Sequence, residues 1–316
     1  MAKAARRKKT RIIWAVDVYG SSPEFFKKSA EWLISISQKM NATIKPVFIL
    51  SPKSLNLAID IIVPPDLKRF ETQSYKLFEK RMKNIKISNL EEPKVISHDD
   101  FSVKKSVNRL ISFAKSSKGD MIFVNSHGRK GIPRFFLGSF AETLMMYSNI
   151  PVFVTNPKSK FSKNFSPILF PTDFSAASKK AFGKTIGLAK ILSSDIILMH
   201  VTGSLRAAMA FRGSFYTDSA WQYYTKALED IKVKKKKKLD SWASLGRKAR
   251  VKVNPLIIES GESIADNIVE IATKKNVKLV ALATTSGLIE TALMGSHARQ
   301  VVRYCPCPLW TVRAQR

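Results

Sequence analysis

One segment of the sequence indicates the fold before any other: VNSHGRKGIPRFFLGS, residues 124–139. The apolar run MIFV at 121–124 leads into it and is long enough for a buried strand, and FAETLMM at 140–146 follows as a predicted helix. A strand that passes through a glycine-containing loop into a helix N-terminus is a common anion site. The first backbone N–H groups of such a helix have no partners, and its dipole adds partial positive charge there.

The residues of this loop suit a phosphate group. Gly128 and Gly138 have no Cβ, so the backbone can approach a phosphate closely; Ser139 adds a hydroxyl donor, and Arg129 and Lys130 add positive charge. An ordinary glycine loop of an α/β protein has the same appearance and stays open as the alternative. The spacing matches neither G-x-x-x-x-G-K-[ST] nor G-x-G-x-x-G, which argues against both standard nucleotide fingerprints.

Strands and helices alternate along the chain, and the pattern occurs twice. Asp17 and Asp173 are 156 residues apart, and Pro151 and Pro308 are 157 apart. We therefore predict an internal duplication in which each half is an α/β domain with a doubly wound parallel sheet. The predicted regions are a disordered basic tail at 1–10, domains at 11–156 and 167–316, and a linker at 157–166.

The helices are predicted from apolar periodicity and capping residues. Ser21 or Ser22 is the expected N-cap of the first helix, and Asn41 ends it. The predicted helices cover 23–40, 67–88, 102–116, 176–192, 218–248, 262–274 and 295–303.

Composition bounds the class of protein. The chain has 316 residues, 45% hydrophobic content and a net charge of +30. Such a charge attracts polyanions, although a generally basic proteome in the host would explain it equally well. No apolar run approaches the ~20 residues of a membrane span, and the basic N-terminus lacks a signal-peptide core. Cys305 and Cys307 are expected to be reduced and structural, which favours a cytoplasmic location.

The loop resembles one known family. Universal stress proteins carry G-x2-G-x9-G-[ST] here, and this chain has Asn125 in place of the first glycine, then Gly128, nine residues, Gly138 and Ser139. In the second half, FPTDFS at 170–175 and MHV at 199–201 resemble the opening of such a domain. The resemblance implies an adenine nucleotide alpha-hydrolase-like fold, with a five-stranded parallel sheet of order 3-2-1-4-5 in each half. It also implies an intramolecular pseudo-dimer in which the two last strands pair. A homodimer of tandem chains is a further expectation.

The resemblance further implies ATP, with or without Mg²⁺, as the ligand of the first half. Val16 and Asp17 match a Thr-Asp pair at the adenine and ribose, and Ile49 matches a second-strand residue whose backbone meets adenine. A helix-capping role is the alternative for Asp17. The implied nucleotide-binding residues are Val16, Asp17, Ile49, Val124, Asn125, His127, Gly128, Arg129, Gly138, Ser139 and Phe140.

The second half retains only part of the pattern. Counting back from Gly295 puts Thr285 and Leu282 where the two earlier glycines belong, and Glu290 adds negative charge where phosphates would lie. We therefore expect this half to bind ATP weakly or not at all. Its degenerate site would comprise Thr172, Asp173, Val201, Gly295 and Ser296.

Other polar residues carry weaker signals. His98, Asp99 and Asp100 form either a metal cluster or, more simply, a solvated turn; His200 is expected to be a hydrogen-bonded core residue. His127 has no nucleophile or carboxylate partner in its motif, which favours loop ordering over catalysis. The five lysines at 234–238 form either a polyanion contact or a solvated helix face.

Three functions remain open. An ATP-binding regulatory or stress-tolerance module agrees best with the loop, and slow ATP hydrolysis is compatible with it. A basic polyanion-binding protein with a vestigial loop is the main alternative, although no nucleic-acid recognition motif is present. A nucleotide-dependent enzyme is third, because we find no catalytic constellation and no metal set in the sequence.

Overall fold

A computed structural model describes residues 9–55, 67–126, 139–202, 218–260, 262–285, 301 and 304–314 of the chain. The chain divides into two compact units. The first comprises Met1–Lys163 with Trp310–Arg313, and the second comprises Asn164–Leu309 with Ala314–Arg316. The boundaries predicted for the tail, the domains and the linker stay predictions. The predicted helix at 295–303 lies almost wholly outside the described residues.

Strands and helices alternate in the described residues, as the sequence pattern predicted. The strands are β1 (Thr10–Ala15), β2 (Ala42–Leu50), β3 (Lys94–Ser97), β4 (Met121–Asn125), β5 (Val152–Thr155), β6 (Ile168–Pro171), β7 (Ile196–Thr202), β8 (Val253–Glu259), β9 (Leu279–Thr285) and β10 (Leu309–Ala314). The helices are α1 (Pro23–Met40), α2 (Leu67–Met82), α3 (Val103–Ser116), α4 (Ser139–Tyr147), α5 (Ala176–Leu192), α6 (Asp218–Lys248) and α7 (Ile264–Lys274).

The sheet of the first unit has the strand order β3-β2-β1-β4-β5, which is the predicted 3-2-1-4-5 arrangement. The β1–β2, β1–β4, β2–β3 and β4–β5 pairs are all parallel. The last strand of the chain, β10, lies next to β5. The intramolecular pseudo-dimer implied by the resemblance stays a prediction.

Helix α1 shows why the local prediction succeeded. The Ser22 side chain accepts a hydrogen bond from the Phe25 amide at the N-terminus, Pro23 fixes the first turn, and Asn41 ends the helix in the left-handed region with φ 48°. The inward face buries Phe26 and Leu33, each of which contributes roughly 1.5–3 kcal/mol through burial. The predicted bounds of 23–40 are confirmed.

Helix α2 is shorter than predicted and ends at Met82 rather than at residue 88. The Ile85 amide closes a turn onto the Met82 carbonyl at 2.8 Å. Only Ser74 and Phe78 of this helix are buried, so no packed side chain supports a further turn. Helical stability in proteins comes mainly from such packing, which local composition does not reveal.

The second unit repeats the architecture. Its described strands have the order β8-β7-β6-β9, with parallel pairing of β6 to β7 and β9 and of β7 to β8. The Val280 amide bonds to the Pro308 carbonyl at 3.1 Å, as the Ile122 amide bonds to the Pro151 carbonyl in the first unit. The predicted bounds of α5 and α6 are confirmed. Cys305 and Cys307 are free and buried.

Candidate functional site

A cavity of about 870 Å³ opens in the first unit where β1, β2 and β4 end. Every predicted nucleotide-binding residue that the structure describes lines it, namely Val16, Asp17, Ile49, Val124, Asn125, Ser139 and Phe140. His127, Gly128, Arg129 and Gly138 lie outside the described residues. The sequence therefore anticipated which distant segments meet at this edge of the sheet.

The position of the cavity follows from the strand order. β1 lies between β2 and β4, although β3 and α3 separate β2 from β4 in the sequence. This reversal of strand order is the topological switch point of a doubly wound sheet, where ligands bind beyond the carboxyl ends of the strands. The cavity therefore lies where this fold places its ligands.

Asp17 stabilises a turn at the mouth of the cavity. Its Oδ1 accepts hydrogen bonds from the backbone amides of Tyr19 at 3.0 Å and Gly20 at 2.7 Å. The Tyr19 hydroxyl donates to the Phe70 carbonyl at 3.1 Å and thereby ties the turn to α2. Asp17 is not the cap of α1, because Ser22 has that role. The capping alternative is therefore wrong for this residue.

Three helices begin at the cavity. Ser22 and Pro23 at the start of α1, Ser139 and Phe140 at the start of α4, and Val103 at the start of α3 all line it. The first amides of a helix lack intrahelical partners, and the dipole makes this end partially positive. Several helix N-termini around one cavity create a favourable environment for an anion.

Asn125 is the last residue of β4 and is buried, with 6% of its surface exposed. Its Oδ1 accepts hydrogen bonds from the Ser29 hydroxyl of α1 and from the Thr155 hydroxyl of β5, the latter at 2.8 Å. Because Asn125 continues the strand, it does not occupy the left-handed turn for which a glycine would be needed. The departure from the family glycine thus leaves the backbone unstrained at this position.

Asp99 is exposed and Asp100 is half-buried, as expected of a solvated turn, but His98 departs from that expectation. It is 5% exposed, its Nε2 lies 2.9 Å from the Ser106 Oγ, and its Nδ1 accepts from the Asp100 amide at 3.2 Å. Burial lowers the pKa of His98, and the nearby Arg109 lowers it further. The neutral ring therefore carries its proton on Nε2 and donates to Ser106. This tautomer positions the hydroxyl at the cavity and cannot act as its base.

The sequence did not predict some of the residues that line the cavity. Lys53 is an exposed cation in the turn after β2, and Ser106 lies in the second turn of α3. Lys53 could have been found from its place directly after a predicted strand. Ser106 carries no such signal, because nothing in a helical pattern shows which polar residue faces a cavity.

In the second unit, the residues that correspond to Val16 and Asp17 form hydrogen bonds with their own neighbours. The Thr172 hydroxyl contacts the Ser178 hydroxyl at 3.0 Å and accepts from the Phe174 amide at 3.0 Å. Exposed Asp173 accepts from the Ser175 amide at 2.9 Å. The half-buried Val201 lies in β7, whereas Gly295 and Ser296 lie outside the described residues.

An aromatic cluster lies near the carboxyl ends of β6 and β7 in the second unit. The Phe174 ring lies 4.4 Å from the His200 ring and 5.5 Å from that of Trp242. Phe174 has a φ of 62°, an unusual conformation for a bulky residue. His200 Nδ1 donates to the Thr172 carbonyl at 2.7 Å, so the predicted hydrogen-bonded core histidine is confirmed.

The strand register corrects the alignment of the two loops. Met121 pairs with Ile12 and Leu279 pairs with the corresponding Ile168. Gly138 follows Met121 by 17 residues, whereas Gly295 follows Leu279 by 16, so the second loop is one residue shorter. Ala283, and not Leu282, therefore corresponds to Asn125. Counting from the last glycine alone missed this deletion.

The lysine run lies on α6 and is only partly solvated. Lys235 and Lys238 place their ammonium groups 5.3 Å and 5.1 Å from the centre of the Phe174 ring. Lys235 is half-buried, and the other four lysines of the run, Lys238 included, are exposed. Two members of the run therefore take part in cation–π contacts, and three are available to solvent or to an anion.

Two kinds of feature are missing from the described part of the chain. No group of three His, Cys, Asp or Glu residues there is arranged to hold a metal ion. No helix among these residues is both long and apolar enough to cross a membrane.

Comparison with known structures identifies the fold, and comparison with known sequences identifies the family. A universal stress protein from Archaeoglobus fulgidus has a similar structure, with a TM-score of 0.63 at 16% identity, covering 96% of each chain. The profile of the universal stress protein family matches residues 9–156 and 164–313. The chain therefore belongs to the universal stress protein family and carries two such domains in tandem.

A shorter relative agrees with this assignment. A universal stress protein from Methanocaldococcus jannaschii is 27% identical over 154 residues, which cover 47% of this chain and 82% of that protein. The match spans about the length of one domain of this chain.

Proposed function

We propose that the first unit binds one ATP molecule in its cavity and that the protein is an ATP-binding regulatory or stress-tolerance module. One observation carries the proposal: a cavity of about 870 Å³ at the switch point, lined by the starts of three helices. Its size lies in the usual range for small-molecule sites, about 300–1,000 Å³. The helix dipoles make the starts of α1 and α4 partially positive, which favours phosphates.

The lining also suits the base and the sugar. Val16, Ile49 and Phe48 provide apolar surface for a purine beside the ends of β1 and β2. Asp17 is the one carboxylate among the described lining residues, and its Oδ1 already accepts from two backbone amides. Mg²⁺ would therefore be held mainly by the phosphates and water, as is common for this ion. Lys53 adds a positive charge at the rim.

We propose that the second unit has a lower affinity for ATP. The Phe174, His200 and Trp242 cluster lies near the ends of its first two strands, and the Thr172 hydroxyl is already engaged. This unit would then act as a structural partner. Association of two chains into a homodimer is a further proposal, which sedimentation velocity can test.

Native mass spectrometry of the purified protein tests the proposal directly. We expect a population heavier than the bare chain by one adenine nucleotide, or one that appears when ATP is added. Gly138→Val should abolish this population without unfolding the protein, because a side chain there would obstruct phosphates at the start of α4. A wild-type protein that never retains nucleotide would contradict the proposal.

Polyanion binding is the second candidate function. Its support is the net charge of +30 and the exposed Lys234, Lys236 and Lys237 on α6. Lysines in such a row attract phosphate backbones without reading their sequence. The two functions are compatible, since these lysines and the cavity belong to different units.

A further inference from the structure

The side chain of Asn125 is held from two sides. Its Oδ1 accepts from the Ser29 hydroxyl on α1 and from the Thr155 hydroxyl on β5. A carbonyl oxygen has two lone pairs, so both are used. The amide plane is thereby fixed by two different elements of the fold.

The other end of the same amide has no partner. Among the described residues nothing accepts a hydrogen bond from Asn125 Nδ2, although the residue is 6% exposed and lines the cavity. The nitrogen is not one of the fully enclosed atoms that lack a partner, so water or a ligand in the cavity can accept from it. This nitrogen is therefore a prepared donor for whatever occupies the cavity.

The second unit lacks the arrangement. Ala283 stands at the corresponding position in β9, as the strand register shows. Counted from the helix N-caps Ser22 and Ser175, Phe182 takes the place of Ser29, so this helix offers no hydroxyl there. The anchored amide thus belongs to the unit with the larger set of family loop residues.

The place of Asn125 indicates which part of a nucleotide it meets. It ends β4, close in sequence to the start of α4, and Ser139 and Phe140 of that helix line the same cavity. The apolar surface at Ile49 lies on β2, which β1 separates from β4. Two strand spacings amount to about 10 Å, so a base near β2 leaves the phosphates near β4.

We propose that Asn125 Nδ2 donates a hydrogen bond to a phosphate oxygen of the nucleotide in the first unit. The proposal rests on the proposed function. A phosphate offers only acceptors, and a primary amide nitrogen is only a donor, so the match is complementary. The residue that departs from the family glycine then makes affinity depend on the phosphates, and Ser29 and Thr155 hold it in position.

Calorimetric titrations with ATP and with adenosine test this role. Asn125→Ala should lower the affinity for ATP by about tenfold and leave that for adenosine unchanged. Asn125→Asp keeps the shape and the two hydroxyl contacts but presents a carboxylate, so its loss of ATP affinity should be larger. Asn254→Asp adds the same charge at an exposed position of β8 and should leave both affinities unchanged.

The anchor is tested by a double-mutant cycle. Thr155→Val should reduce ATP affinity in the wild-type background and have no further effect in the Asn125→Ala background. Unchanged adenosine binding shows that each variant retains its fold. If the wild type binds ATP but Asn125→Ala and Asn125→Asp bind it equally well, or lose ATP and adenosine alike, the role of Asn125 is refuted. If the wild type binds neither ligand, the proposed function itself fails.

Discussion

The carboxylate of Asp17 accepts a hydrogen bond from the Gly20 amide at 2.7 Å, and the two residues are so close that no side chain fits between them. A Cβ on Gly20 would lie 2.5 Å from Asp17 Oδ2. The glycine therefore lets the carboxylate hold the turn while it lines the cavity. Nothing in a sequence read locally shows that the two residues depend on each other.

Gly20→Ala should weaken ATP binding because the added methyl group displaces the Asp17 carboxylate. We expect a loss of about 1–2 kcal/mol, comparable to that of Asp17→Ala, and little further loss in the double variant. Calorimetry on the three variants measures the coupling. Additive losses would show that Gly20 acts independently of Asp17.

Substitution of two other glycines by alanine should have opposite effects on stability. A Cβ on Gly183, in the middle of α5, meets nothing within 4 Å, so Gly183→Ala should stabilise the protein by about 0.5–1 kcal/mol. A Cβ on Gly246 would overlap the Val253 side chain and lie 3.1 Å from the Val251 carbonyl. Gly246→Ala should therefore destabilise it by about 1–3 kcal/mol. Urea denaturation of both variants measures their free energies of unfolding. A stabilised Gly246→Ala would contradict the packing of α6 on β8.

His200 predicts a dependence of stability on pH. Burial lowers its pKa below the ordinary 6.5, Lys235 and Lys238 lower it further, and the hydrogen bond to Thr172 and the charge of Asp173 oppose the shift. As the pH falls below about 6.5, the unfolded chain takes up the proton first. The contribution of His200 is therefore full above that pH and is lost as the pH falls towards the folded-state pKa.

His200→Asn preserves a donor to the Thr172 carbonyl and removes the titration. Its free energy of unfolding should fall less steeply than that of the wild type between pH 7 and pH 5, by up to about 1.4 kcal/mol per pH unit. Urea titrations at three pH values compare the slopes. Equal slopes would show that His200 protonates alike in the folded and unfolded chains.

The lysine run predicts a salt-dependent contact with nucleic acid. Gln at the exposed Lys234, Lys236 and Lys237 should reduce the log–log salt slope of duplex DNA binding, by about 0.9 for each phosphate that is no longer neutralised. Gln at Lys179, Lys180 and Lys184 removes the same charge from α5 and serves as the control. Equal effects of both triples would mean that net charge alone attracts DNA. Sequence-specific binding that survives high salt would make nucleic-acid recognition the leading function.

The sequence predicted what short-range chemistry determines. The ends of α1 follow from Ser22, Pro23 and Asn41, which act within one turn. The predicted end of α2 was wrong because it depends on where packing stops after Phe78. The predicted surroundings of His98 were wrong because its partner Ser106 lies on another element. The strand order came from the family resemblance, since periodicity does not encode which strands are neighbours.

For the site, the sequence predicted which strand ends would meet but not how their side chains are held. Asn125 was recognised only as a substitution for glycine. Its partners Ser29 and Thr155 lie 96 and 30 residues away, and no local pattern links them. The one-residue deletion in the second loop likewise became visible only through strand pairing.

The stoichiometry of ATP binding tests the central claim most directly. An isothermal titration of ATP into the purified chain should give one site per chain, and that site should disappear in Gly138→Val. One site is expected because the cavity of the first unit has helix N-termini and the Asn125 amide, whereas the second unit presents the Phe174 cluster. Two equal sites per chain, or a single site that survives Gly138→Val unchanged, would contradict the assignment of nucleotide binding to the first unit.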